Sequence, residues 1–373
     1  MRLRRSEPLE PPPNDRSREE IYDGIEDPLP PLPLPFEIDR LAGLHRLYLK
    51  GEIHRHELWS ALLGTLLPRL ARGPQLLERR LEGWPEPPPS VVLTTYFASK
   101  VDPQTNFFVP REDIHYIAPW YQSLRATGDY GIVFHDHLSR GFVSRWQTDR
   151  IRFLRCRLGD YNLNDERFLL YLAFLLDHPC DAAFATDGTD VFLTRSPFGL
   201  LPGLLPQDGA PRLFVGRDRF NLNGHSGWIA RMARGYEERT GRRLAEGFAE
   251  SPMYNAGVVG GPYYTTLYFL VRMAERLLAL ATPDEYDMFV LNYTIFRYFL
   301  PRRAPLGLFR LPFLDLGLTQ PEAEVAGLPA QLGEGVVPTL DAHSSSLHLL
   351  SGYPLCSAFG EFEVTSDAIF LHK

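Results

Sequence analysis

Asp187 and Asp190 stand three positions apart, where one apolar run, 182–186, ends and another, 191–193, begins. Carboxylates gathered where a buried strand reaches the surface repel one another unless a cation neutralises them. A divalent metal does this, since it prefers oxygen ligands and often bridges to phosphates. The plainer reading is a turn, because Asp-Gly is a strong turn signal and Asp side chains satisfy turn backbone.

Four further groups have chemistry to offer. Asn255-Ala256-Gly257, followed by Gly260-Gly261, sets an amide among small residues just ahead of an expected helix over 262–281. That arrangement admits a polar ligand close to the backbone, or serves as a tight turn between strand and helix. Asp287 opens another expected helix, where it can cap the helix, bind a hydroxyl or act as a base. The chain ends in an apolar strand followed by His372 and Lys373, an imidazole for a metal and an ammonium for phosphate. Arg167 lies one turn into the helix before the Asp187 strand, placed to pair with a diphosphate or a carboxylate, or to be solvated.

These residues need elements that deliver them to one place. The apolar runs 91–96, 130–135, 151–155 and 182–186 read as short buried strands, and 113–125 and 164–176 read as helices, the second opening on capping residues. Strands alternating with helices imply a largely parallel sheet, whose ligands sit beyond the carboxyl ends of the strands. Thr94, Thr95, Tyr96, His135, Asp136, Asp187 and Asp190 all fall at such ends. No GxGxxG follows the first strand and no GxxxxGK[ST] occurs, so a dinucleotide or P-loop site is unsupported.

Ahead of this region, leucines at three- and four-residue steps over 36–83 predict two or three amphipathic helices packed on the later domain. The proline run near Trp84 marks a boundary. Residues 1–35 are rich in proline and charge and read as an extended, flexible arm, with partner binding by a PxxP-type segment as the alternative. The expected division is therefore arm 1–35, helical extension 36–89 and catalytic-type domain 90–373.

The composition fits a globular protein, with 44% hydrophobic and 23% charged residues. A net charge of −7 argues against nucleic acid as a partner, although basic residues are dense between Arg140 and Arg157. The three cysteines, Cys156, Cys180 and Cys356, show no zinc spacing and no disulfide framework. No run reaches the roughly 18 apolar residues that span a bilayer, and the first residues lack the apolar core of a signal peptide. The expectation is a cytoplasmic protein with no transmembrane segment.

The order of these pieces resembles that of GT-A-fold glycosyltransferases: a strand leading into Asp187-x-x-Asp190-Val191, then Tyr254-Asn255-Ala256-Gly257, then an acidic helix start, then a late His. The spelling is closest to the Asp-x-x-Asp variant of the DxD motif found in the glycosyltransferase domains of procollagen lysyl hydroxylases. The Asn-Ala-Gly segment is similar to that of glycogenin-like families. The resemblance covers about 90–373 and implies a Rossmann-like α/β fold with a mostly parallel sheet. It implies Mn2+ or Mg2+ held by Asp187, Asp190 and His372, with Lys373 and Arg167 supporting the diphosphate of a nucleotide-sugar donor, a UDP-sugar ahead of a GDP-sugar. It places Thr94, Thr95 and Tyr96 against the nucleoside, Asn255 and Gly257 along the sugar or acceptor pocket, and Asp287 on the sugar or acceptor. The chain departs from the family in having its late His as the penultimate residue and in its helical leader.

The implied activity is transfer of a hexose to a hydroxyl of an unidentified glycan, protein or small-molecule acceptor, with Ser196 to Gly227 and 301–335 as candidate acceptor loops. The alternatives are a sugar-phosphate nucleotidyltransferase, opposed by a loop with one lysine and no glycine after the first strand, and a non-catalytic binding protein of the same fold. Trp120, Trp146 and Trp228 can stack on sugars, although core packing is the favoured reading for each.

Overall fold

The computed structural model describes residues 34–78, 81, 84, 89–103, 107–199, 201–205, 211–222, 227–244, 248, 249, 251–299, 347–350 and 369–372. Residues 1–33 of the expected arm, the 301–335 loop, Cys356, Lys373 and the side chains of Trp228 and His372 lie outside that description.

The elements run α1 (Leu34–Leu49), α2 (Arg55–Leu63), α3 (Leu67–Leu70), β1 (Gln75–Leu76), β2 (Ser90–Tyr96), α4 (Ala118–Thr127), β3 (Tyr130–His135), α5 (Arg140–Trp146) and β4 (Ile151–Arg157). There follow α6 (Leu163–Asp177), β5 (Ala182–Thr186), β6 (Val191–Leu193), α7 (Leu201–Leu204), β7 (Leu213–Asn221), α8 (Trp228–Thr240) and β8 (Pro252–Pro262). The last are α9 (Tyr263–Leu280), α10 (Asp287–Tyr298), β9 (Leu347–Leu350) and β10 (Phe370–His372).

An eight-stranded sheet has the order β1-β4-β3-β2-β5-β8-β7-β9. Strands β4, β3, β2 and β5 are parallel, and β8 is antiparallel to both β5 and β7. The chain steps outward from β2 to β3 to β4, then returns through α6 to place β5 on the other side of β2. That reversal opens a crevice between the carboxyl ends of β2 and β5, the place where open α/β sheets bind ligands. This mixed α/β architecture is consistent with a Rossmann-like GT-A fold.

Alternation along each strand sends side chains to two separate cores. Val91 and Leu93 of β2, with Ile132 and Phe134 of β3, join the core formed with α6 and α9. Val92 and Tyr96, with Val133, join the core under α4 and α5. Helix α6 is apolar on nearly every face, as expected of a helix buried in the body of the domain. Its start is fixed by Asn162, whose side chain accepts the Asn164 N–H at 2.9 Å. The buried Glu166 accepts the Gly159 and Tyr161 N–H groups at 2.8 and 2.9 Å and pairs with Lys100 at 3.0 Å.

The predicted leader helices pack on α9. His45, fully buried in α1, lies with Nε2 3.0 Å from the Leu176 carbonyl, and Tyr48 donates to Asp177 at 2.8 Å. Leu34 and Pro35, expected to end the arm, instead form the first turn of α1, a position that tolerates proline because its N–H would be unpaired there anyway.

The segment 252–262 does not form the tight turn, one of its two expected readings. It is the eleven-residue strand β8 in the middle of the sheet. Its glycines serve strand packing: a Cβ on Gly260 would stand 2.2 Å from the Ala183 carbonyl oxygen of β5.

Candidate functional site

Strand β5 ends at Thr186 and delivers Asp187 to the crevice. The Asp187 N–H donates to the Gly257 carbonyl at 2.9 Å, which ties the start of the acidic turn to β8. Thr186 is anchored in turn, receiving Trp120 Nε1–H at 2.9 Å and donating to the Leu93 carbonyl at 3.2 Å. Trp120 is fully buried and is core.

Gly188 lies against the end of β2. A Cβ there would come within 2.8 Å of Thr94 Oγ1 and 3.2 Å of the Thr95 carbonyl oxygen. Thr94 is buried and its hydroxyl donates to the Thr186 carbonyl at 3.0 Å, so it cannot swing aside without losing that bond. Gly188→Ala is therefore expected to cost about 1–3 kcal/mol of stability, the usual range for overpacking. A urea-unfolding midpoint equal to that of the wild type would contradict the contact.

After Asp190 the chain forms β6, which pairs antiparallel with β10. His372 is in register with Val191, Leu371 with Phe192 and Phe370 with Leu193. The end of the chain thus returns to the residue that follows Asp190. Asp190 is half-buried, and Thr189 Oγ1 donates to its Oδ1 at 3.2 Å. Two carboxylates in an acidic turn are hard oxygen donors, suited to Mn2+ or Mg2+. Among the described residues, no three His, Cys, Asp or Glu side chains converge to hold a metal.

Arg167 joins two carboxylates. Its Nη1 pairs with Asp187 Oδ1, and its Nη2 donates to Asp287 Oδ2 at 2.8 Å. The three side chains differ in exposure: Asp187 is 22% exposed, Arg167 9% and Asp287 3%. Asp187 therefore faces the crevice, Asp287 lies beneath it, and Arg167 bridges the two. Burial works against the guanidinium charge, but Asp187 and Asp287 outweigh it and keep Arg167 protonated. Burial raises the Asp287 carboxyl above its ordinary range despite Arg167, and raises Asp165 strongly, with the charge of Asp287 adding to the effect. Asp165 Oδ1 accepts the Tyr286 N–H at 3.1 Å. Tyr286, not Asp287, is the N-cap of α10, so Asp287 does not cap the helix that it opens.

The remaining expected residues are placed as follows. Asn255 is buried, and its Oδ1 accepts the Gly257 N–H at 2.6 Å. Asn292 holds this stretch of β8, accepting the Tyr254 N–H at 2.7 Å and donating to the Tyr254 carbonyl at 2.8 Å. Thr95 is half-buried at the end of β2. The Tyr96 hydroxyl lies 2.6 Å from the Pro110 carbonyl oxygen and 2.8 Å from that of Asp113, and burial pushes its pKa up to about 12. Asp136 accepts the Ala98 and Ser99 N–H groups at 2.9 and 3.0 Å and so fixes the loop that leaves β2. His135 is buried, which pulls its pKa down to about 4. Arg157, at the end of the basic stretch, donates to Gln75 at 2.6 Å.

Two site residues escaped the sequence reading. Tyr116 packs on Tyr96 with ring centroids 5.0 Å apart, and burial foremost, then Asp102, Asp187 and Asp190, raises its hydroxyl pKa. Only the fold brings it there. Asp165 left a usable signal: a run of charged residues, 165–167, opening an otherwise apolar helix must find buried partners.

No family model matches the chain, and no curated protein matches it. Similar solved structures include an active-site mutant of LgtC, at 16% identity and a TM-score of 0.35, covering 54% of this chain and 69% of that one. Another is the galactosyltransferase LgtC in complex with donor and acceptor sugar analogs, at 16% identity and a TM-score of 0.33 with the same coverage. Among the described residues, no helix is long and apolar enough to cross a membrane.

Proposed function

We propose that the chain is a metal-dependent glycosyltransferase that moves a hexose from a nucleotide-diphosphate sugar, a UDP-sugar first, to a hydroxyl acceptor. One observation carries this reading. The acidic turn Asp187-Gly188-Thr189-Asp190 leaves β5 at the crevice where the strand order reverses, and β10 returns the chain terminus to its far side. A carboxylate pair at that position is suited to a cation facing a diphosphate.

Asp187 and Asp190 are the residues that would hold Mn2+ or Mg2+, and His372, whose backbone is in register with Val191, would be the third donor. When bound, the ion supplies Lewis-acid stabilisation of the charge that develops on the leaving diphosphate. Lys373, outside the described residues, would supply an ammonium to that charge. Thr95 and the backbone at the end of β2 line the nucleoside side. Asn255 and Gly257 line the sugar side from β8. Arg167 neutralises and orients Asp187 from below, and Asp287 fixes Arg167, which makes both of them positioning groups.

The competing nucleotidyltransferase reading wants a Gly-rich, basic loop after β2. Lys100, the lysine of that loop, is instead engaged by the buried Glu166.

The test is hydrolysis of UDP-glucose, UDP-galactose, UDP-N-acetylglucosamine and GDP-mannose, with Mn2+ and with excess chelator. Slow release of a nucleoside diphosphate that requires Mn2+ supports the reading. Release from none of the donors, with pyrophosphate formed from a nucleoside triphosphate and a sugar phosphate, would replace it with the nucleotidyltransferase.

A further inference from the structure

One guanidinium joins three elements of the fold. Helix α6 supplies Arg167, the turn after β5 supplies Asp187, and the first residue of α10 supplies Asp287. Arg167 Nη1 pairs with Asp187 Oδ1, and its Nη2 donates to Asp287 Oδ2 at 2.8 Å. The guanidinium has little room to retreat. Helix α6 is buried on nearly every face, and the guanidinium carbon lies 5.0 Å from the centre of the Phe168 ring. Asp187 is held too, by its N–H on the Gly257 carbonyl. The Arg167 side chain is only 9% exposed. A cation that reaches Asp187 from the crevice therefore settles beside the guanidinium and does not displace it.

Stability alone explains this bridge poorly. Burying an ion pair costs about as much as its attraction returns, and Arg167 Nε, also buried, has no acceptor. What the bridge changes is the charge offered to the crevice. Asp187 and Asp190 present two negative charges to an incoming ion. Arg167 offsets one of them, and Asp287 offsets Arg167 in turn. A dication and a guanidinium about 5 Å apart repel enough to change affinity about ten-fold, even at a solvent-like dielectric constant.

We infer that Arg167 is a resident cation that holds down the affinity of the acidic turn for a divalent metal, and that Asp287 limits this effect by sharing the guanidinium. This rests on the glycosyltransferase reading and adds to it the group that sets how tightly the metal is held. A moderate hold suits turnover, because product release limits many enzymes.

The test is titration of the full chain with Mn2+, alone and with UDP, reading free Mn2+ from its electron paramagnetic resonance signal against a UDP blank. R167M removes the resident cation and should bind Mn2+ about ten-fold more tightly than the wild type. D287N keeps the guanidinium but removes the charge that shares it, and should bind Mn2+ about three-fold or more weakly. Glu285 lies two residues before Asp287 but accepts from Asn164 Nδ2 at 2.7 Å, so E285Q should change the affinity less than D287N does. A merely structural role would weaken binding in both R167M and D287N, whereas the resident cation gives them opposite signs. Circular-dichroism melting checks that the variants are folded, and where R167M gives no folded protein, D287N and E285Q decide. Folded R167M that binds no more tightly, or D287N that binds no more weakly, overturns the role. So does E285Q weakening binding as much as D287N, which would assign the effect to the general acidic field. Failure of the underlying reading looks different: the wild type takes up no Mn2+, either alone or with UDP. Uptake by the wild type that the variants leave unchanged overturns the resident cation alone.

Discussion

Replacing Arg167 with methionine is expected to destabilise the protein by about 3–5 kcal/mol, the cost of leaving buried charge without its partner. Methionine keeps most of the volume, so packing loss stays secondary. The guanidinium now bridges Asp187 and Asp287, and Asp165 is buried nearby. Without it those carboxylates face one another in a poorly solvated site. The pH dependence has a definite sign. Asp165 and Asp287 both have raised values in the folded protein, burial being the main cause. Groups of this kind contribute stability that is full below their unfolded value of about 4 and is lost as pH rises through their folded values. Loss of Arg167 raises those values further. The stability deficit of R167M should therefore shrink when the pH is lowered from about 7.5 to about 5.5, as the carboxylates take up protons. Urea unfolding of both proteins at the two pH values checks this, and a deficit that stays constant or grows on acidification contradicts the charge argument.

The second large effect is on chemistry. Asp187→Asn and Asp190→Asn should each lower Mn2+-dependent hydrolysis of the preferred sugar nucleotide by about a hundred-fold or more, since Lewis-acid stabilisation is worth several kcal/mol. The two variants should differ in stability. Asp187→Asn removes one of the two carboxylates that hold Arg167, whereas Asp190 accepts a hydrogen bond from its neighbour Thr189. A fold defect common to both would thus point away from lost metal binding. Full hydrolysis in both variants would remove the acidic turn from the reaction.

The strands that carry the site were legible because their apolar runs are short, β-branched or aromatic, and cut off by polar residues. The runs at 130–135 and 182–186 coincide with β3 and β5. The alternation of strands with helices gave the parallel portion of the sheet, and with it the crevice that holds Asp187. Strand β8 was hidden by its composition. Two prolines, an asparagine and three glycines between 252 and 262 suit a tight turn, yet Gly260 is there because β5 passes too close for a side chain. The roles of Arg167 and Asp287 were hidden for another reason. Local sequence shows a charged residue near a helix start but not which distant carboxylate it meets, and these two lie 120 positions apart. Tyr116 likewise enters the site only because the segment before α4 folds across the end of β2.

The acidic turn after β5 is proposed to bind a metal–diphosphate unit. Calorimetric titration of UDP into the full chain, with Mn2+ and then with excess chelator, tests it most directly. Clear binding is expected with Mn2+, weakening about a hundred-fold or more in chelator, a difference of roughly 2.7 kcal/mol, with a similar loss in Asp190→Asn with Mn2+ present. UDP binding of equal strength with and without Mn2+, or the absence of binding in both, would contradict it.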